Sequence, residues 1–103
     1  MNGKIELKEY YIIEHYINNE YVRALDKDFT DLYKVKKYLK DILDSEVNYN
    51  YVCNKNNSYA LVKVVYNDST KDWDYYEILP KISVKDYSYM NCEDKEKYFK
   101  VND

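Results

Sequence analysis

Acid–base or metal chemistry in this chain would have to start from His15, Cys53 and Cys92, the only histidine and the two cysteines. His15 stands beside Glu14 and near Glu20, and a His–carboxylate pair can move protons. No activated nucleophile accompanies it, however, and no second imidazole. In the hairpin register given below, His15 shares a face with Ile13 and Ile17 and lies opposite Val22. That is the setting of a packed strand histidine. His15, Cys53 and Cys92 together would supply three zinc ligands, but structural zinc takes four, and neither C-x-x-C nor H-x-x-x-H spacing is present. The two cysteines are expected to be reduced thiols and not a disulfide.

Three acidic clusters invite comparison with metal-dependent nucleases: Asp26/Asp28/Asp31, Asp72/Asp74/Glu77 and Glu93/Asp94/Glu96. The spacing Asp74-x-x-Glu77-x-x-x-Lys81 has the right residue types, but Pro80 interrupts it and each cluster falls at a loop or element end, where solvated charge is ordinary. With Gly3 as the only glycine, a phosphate-cradling loop and a nucleophile elbow are both ruled out. The expectation is a non-enzyme with no catalytic residues, no metal and no cofactor.

Two features remain that bear on binding. Lys34, Lys36, Lys37 and Lys40 interleave with Tyr33 and Tyr38, a pattern that could contact phosphates and stack on bases. The other is tyrosine itself, present 15 times, with Tyr49, Tyr51, Tyr59, Tyr66, Tyr75, Tyr76, Tyr87 and Tyr89 in the strands and loops after the predicted helix. Tyrosine offers large contact area at low entropic cost and is enriched at protein interfaces. The predicted partner-binding set is Tyr49, Tyr51, Tyr59, Tyr66, Trp73 and Tyr75, with Asp72 and Asp74. The competing reading is that biased coding placed tyrosine where other core aromatics would serve.

The elements that must position these residues follow from periodicity. Leu32, Val35, Leu39, Ile42 and Leu43 recur at three- and four-residue steps, which predicts a helix from Thr30 to Asp44 with Thr30 as its cap. Before it, Glu9–Ile17 and Glu20–Phe29 flank Asn18-Asn19, a pair suited to the positive φ angles of a two-residue hairpin turn. The register sets Ile17 opposite Glu20, Tyr16 opposite Tyr21 and Glu14 opposite Arg23; a helix through Tyr10–Ile17 is the competing reading. After the helix, Val47–Cys53 alternates as a strand, Ser58–Tyr66 is a Val- and Tyr-rich strand, and Asn67–Asp72 is a polar loop. Trp73–Leu79 returns antiparallel and ends at Pro80. Asn91 is placed to cap a short helix over Glu93–Lys100, with Tyr98 and Phe99 docking on the sheet.

The fold class expected is therefore α+β in one domain spanning 1–103. Its order is β-β-α-β-β-β, with an antiparallel sheet, one long helix across a single face and a short C-terminal helix. A hydrophobic fraction of 46% is enough to build a core, so disorder is excluded. A net charge of −3 argues against a polybasic nucleic-acid coat. No apolar run approaches a membrane span, and Met1–Glu6 lacks the apolar segment of a signal peptide, so the expected location is the cytoplasm of a bacterium or infected host cell. Abundant Lys, Asn, Tyr and Ile with scarce Gly, Ala and Pro indicate AT-rich coding, as in a low-GC bacterium, its phages or its plasmids. The function expected is that of a phage or mobile-element protein that binds a host protein, such as a defence nuclease, through a tyrosine-rich surface. The alternative is a DNA-binding accessory protein that uses the Lys34–Lys40 helix or a hairpin wing bearing Lys55, Lys63 and Lys71.

Overall fold

A computed structural model describes residues 8–25 and 29–101. Strands β1 (Glu9–Ile17) and β2 (Glu20–Ala24) are followed by helix α1 (Leu32–Asn48) and the single turn α2 (Tyr51–Asn54). Strands β3 (Asn57–Asn67) and β4 (Asp72–Ser83) come next, then α3 (Val84–Ser88) and α4 (Cys92–Lys100). The strands form one four-stranded antiparallel sheet in the order β2-β1-β3-β4, with the helices on one face. This is the α+β class expected, with one strand fewer.

The missing strand is Val47–Cys53. Its alternation also contains a four-residue step, because Val47 and Tyr51 extend the stripe of Val35, Leu39 and Leu43. Val47 and Tyr51 both pack against the core cluster, so α1 runs on to Asn48. Asn50, at φ 60° and ψ 43°, breaks the helix, and the Asn54 amide donates to the carbonyls of Glu46 and Tyr49. At the other end the cap is Asp31 and not Thr30. Its carboxylate accepts from the amides of Tyr33 (2.9 Å) and Lys34 (3.3 Å), and its charge complements the helix N-terminus.

The hairpin forms on Asn18 and Asn19, at φ 53° and 66°, with Ile17 opposite Glu20 and Tyr16 opposite Tyr21. A bulge at His15/Tyr16 then shifts the register, so His15 faces Arg23, and Glu14 faces Ala24 instead of Arg23. Val22 is the extra residue. β2 ends at Ala24, well short of Phe29, which instead makes an isolated bridge to Tyr11. Pro80 does not end β4. It lies between the pairs Leu61–Leu79 and Tyr59–Ile82, where the register shifts, on an edge strand, and both settings tolerate its missing amide.

The predicted C-terminal helix is present: Asn91 accepts from the amide of Asp94, and Tyr98 is buried with its hydroxyl donating to the carbonyl of Pro80 (2.6 Å). Helix α3 is an addition, capped by Ser83 onto the Asp86 amide and buried through Val84 and Tyr87. The core between sheet and helices is Ile13, Leu61, Leu79 and Ile82 against Val35, Leu39 and Leu43 of α1, closed by Val84, Tyr87 and Tyr98. No described helix is long and apolar enough to cross a membrane.

Candidate functional site

Strand alternation sends Ile13, His15, Tyr59 and Leu61 to the helices and Ile12, Val62 and Val64 to the other face. On that second face no described helix packs. Its centre is nevertheless dry: Ile12, Val62 and Val64 are buried, because Tyr10, Ala24 and Trp73 lie over them. Tyr10 and Tyr66 both meet Trp73 edge to face, with ring centroids 5.6 Å and 5.2 Å apart. Tyr75 pairs with Val64 on the same face and is 62% exposed. At the hairpin end Tyr16 and Tyr21 form a second edge-to-face pair, 5.7 Å apart. Each aromatic group carries a cation: Lys8 lies 5.9 Å from the Tyr66 ring, and Lys81 lies 4.7 Å from the Tyr16 ring. Burial, reinforced by its hydrogen bond to Glu14, raises the Tyr16 hydroxyl above its ordinary pKa.

The predicted binding set is only partly brought together. Tyr66, Trp73 and Tyr75 share the open face. Asp72 and Asp74 alternate onto the opposite face, where Asp72 accepts from the Trp73 amide and Asp74 from the Asn67 amide. Tyr59 is in the core, Tyr51 packs against it from α2, and Tyr49 is exposed at the α1–α2 junction. Tyr10, Tyr16 and Tyr21 were missed because they precede the long helix, whereas the predicted set was drawn from the residues after it. Their signal was their alternation within β1 and across the hairpin.

The lysines of α1 divide three ways. Lys34 is exposed, while Lys36 is buried with its ammonium donating to the carbonyl of Val101 (3.0 Å). Lys37 and Lys40 pair with Asp41 (3.4 Å) and Asp44 (2.6 Å) one turn on. These lysines therefore form no continuous basic stripe. Lys36, Lys37 and Lys40 border a groove of about 920 Å³ between α1 and α4, with Leu32 and Phe99 also in its wall.

The remaining chemical candidates stay dispersed. The His15 ring stacks on Tyr59 at 4.9 Å and 12°, and its Nε2 is buried with no hydrogen-bond partner. Tyr59 donates to Glu46 Oε1 (2.6 Å), and burial followed by that carboxylate pushes its hydroxyl well above the ordinary range. Burial likewise raises the hydroxyl of Tyr87, with Asp44, its acceptor, adding to the effect. Burial of Asp44 opposes ionisation, but Lys40 and Tyr87 outweigh it and hold the carboxyl below its usual value. Cys53 and Cys92 are free and exposed. Asp74 and Glu77, three apart on β4, project to opposite faces, so they cannot share a metal in the way the nuclease spacing requires. Asp26 and Asp28 lie outside the described residues. Among the described residues no group of three or more His, Cys, Asp or Glu gathers as a metal site.

Comparison with known proteins finds no family model that matches the chain, and no curated protein or solved structure that matches it either.

Proposed function

We propose that this chain is a non-enzymatic binding protein that docks on another protein through the open face of its sheet. The observation that carries this reading is the aromatic group Tyr10, Tyr66, Trp73 and Tyr75 set over an apolar floor of Ile12, Val62 and Val64. A floor buried under its own rings needs no cover to be stable, yet it presents rigid rings of the type that dominates protein interfaces. Glu14 and Glu77 lie on the same face as these rings, Lys8 is placed against Tyr66 and Lys81 against Tyr16 at the hairpin end, giving a polar surround of both signs. The AT-rich coding signature fits a low-GC bacterium, its phages or its plasmids, and analogy with small acidic phage proteins that block host enzymes suggests a host protein, such as a defence nuclease, as the target.

The test is affinity capture from a low-GC bacterial lysate, with and without nuclease treatment. The bait is either the native chain or a Tyr75→Arg variant, which places a charge on the exposed β4 side of the face without disturbing the core. The expected result is one defined protein that survives nuclease and is lost with Tyr75→Arg. Capture unchanged by that substitution, or abolished by nuclease, would sink the reading.

A further inference from the structure

At the hairpin end of the sheet three lysines from three separate elements meet. Lys55 follows α2, Lys81 lies on β4 and Lys85 on α3, and all three line one recess of about 370 Å³. Asp86 is the only carboxylate in its wall. Three ammonium groups against one carboxylate make a local excess of positive charge in a chain whose net charge is −3. Five described lysines elsewhere are in ion pairs, Lys8 with Asp68, Lys37 with Asp41, Lys40 with Asp44, Lys63 with Glu9 and Lys97 with Glu93, while Lys34, Lys71, Lys95 and Lys100 stand singly among the described residues. Lys55, Lys81 and Lys85 have no ion pair among the described residues.

The walls that carry them are fixed by the backbone. The Asn18 amide donates to the carbonyl of Asn56 (3.1 Å), and the Lys85 amide donates to the carbonyl of Lys55 (3.3 Å). The Lys81 ammonium is held 4.7 Å from the Tyr16 ring, a placement that orients it without neutralising it. Ser58, only 3% exposed, is part of the wall, and no apolar side chain lines the recess. An acyl chain or aromatic body finds nothing to pack on there. Like charges gathered without counter-charge repel one another, and a compact anion of double charge relieves that repulsion. Lysine recognises phosphate as a point charge on a reaching stem, so three lysines lining one recess suit a tetrahedral oxyanion.

We propose that this recess binds a phosphate dianion, either free or as the phosphoryl group of a small metabolite. The inference goes beyond the sheet-face reading and shares only Lys81 with it, because Lys55, Lys85 and the rest of the recess wall lie outside the aromatic group. It is tested by titrating the full chain with inorganic phosphate and, separately, with adenosine monophosphate, following backbone amide resonances. Sodium chloride at equal ionic strength is the control. The expected result is saturable shifts at Asn18, Asn56 and Lys85 with phosphate and none with chloride, and about tenfold weaker binding for each lysine removed in Lys81→Gln and Lys85→Gln. Tighter binding of the nucleotide identifies a metabolite as the source, and equal binding identifies free phosphate. No saturable shift with either phosphate probe, or shifts equal to those of chloride, would overturn the proposal. So would affinity unchanged in the folded variants. Should the variants not fold, the residues shifted in the native chain decide the matter on their own.

Discussion

The two faces of the sheet use the same residue in opposite ways. On the helix-covered face Tyr59, Tyr87 and Tyr98 are buried, and each hydroxyl has a defined acceptor: Glu46, Asp44 and the Pro80 carbonyl. On the open face Tyr75 and Tyr21 are more than half exposed, and Trp73, Tyr10 and Tyr66 pack edge to face over a dry floor. Covered-face tyrosine is a core aromatic whose polar tip reaches an acceptor at the margin of the core, the half-buried carboxylates of Glu46 and Asp44 or the carbonyl of Pro80. Open-face tyrosine keeps its polar end at the surface, where Tyr16 donates to Glu14. A tyrosine count of 15 therefore does not measure an interface. Burial separates core tyrosines from exposed ones residue by residue.

The largest consequence of this contrast lies at high pH. Burial raises the hydroxyls of Tyr59, Tyr87 and Tyr98 well above the ordinary tyrosine value, so the folded state binds their protons more tightly than the unfolded chain does. The stability this represents is fully present below about pH 10, the unfolded value, and is lost as pH rises beyond it. Each hydroxyl contributes a slope of up to about 1.4 kcal/mol per pH unit. Alkaline unfolding followed by tyrosinate absorbance and circular dichroism together should show these three groups ionising only as the fold is lost. Ionisation of every tyrosine while the helical signal is intact would erase the distinction between the faces.

A smaller effect is expected from Tyr87→Phe, which keeps the ring in the core and removes only its donor to Asp44. The loss should be about 1 kcal/mol by urea denaturation near neutral pH. It has a pH signature as well. Asp44 is held below its ordinary value, so its contribution is present above about pH 3.9, the unfolded value, and disappears as pH falls through the lower folded value. The difference between native chain and variant should therefore shrink in acid. A difference constant down to pH 2 would mean that ring packing, and not the Asp44 contact, accounts for the loss.

Much of this organisation is legible in the sequence, and the errors have physical causes. The apolar stripe of α1, the Asn18-Asn19 turn and the Asn91 cap are local signals and lead to the right elements. Val47–Cys53 misleads because period two contains the four-residue step, so tertiary packing of Val47 and Tyr51 decides between helix and strand. Pro80 misleads because an edge strand with a shifted register tolerates a residue that a central strand would not. Helix α3 left a trace in Ser83-Val84-Lys85-Asp86-Tyr87, a cap followed by an apolar pair three apart, but one turn is too short for periodicity to register. The site was harder to read. The face to which Tyr59 or Tyr75 points depends on strand register, and register depends on bulges with no composition signature.

The smallest expected effect is the most discriminating one. Tyr75 lies on edge strand β4 opposite Val64, which is fully buried, yet the Tyr75 ring itself is 62% exposed. If the floor is kept dry by Tyr10, Ala24 and Trp73, Tyr75→Ala removes a ring that carries little of the burial. Its cost should then fall within about 0.5 kcal/mol, the range of ordinary surface substitutions. Truncating a buried ring such as Tyr87 should instead cost about 3–5 kcal/mol. A Tyr75→Ala loss approaching that figure by urea denaturation would show the open face to be a second core whose rings serve stability. A near-zero loss leaves the ring without a structural role in the isolated chain, which is the condition a residue held for a partner must meet.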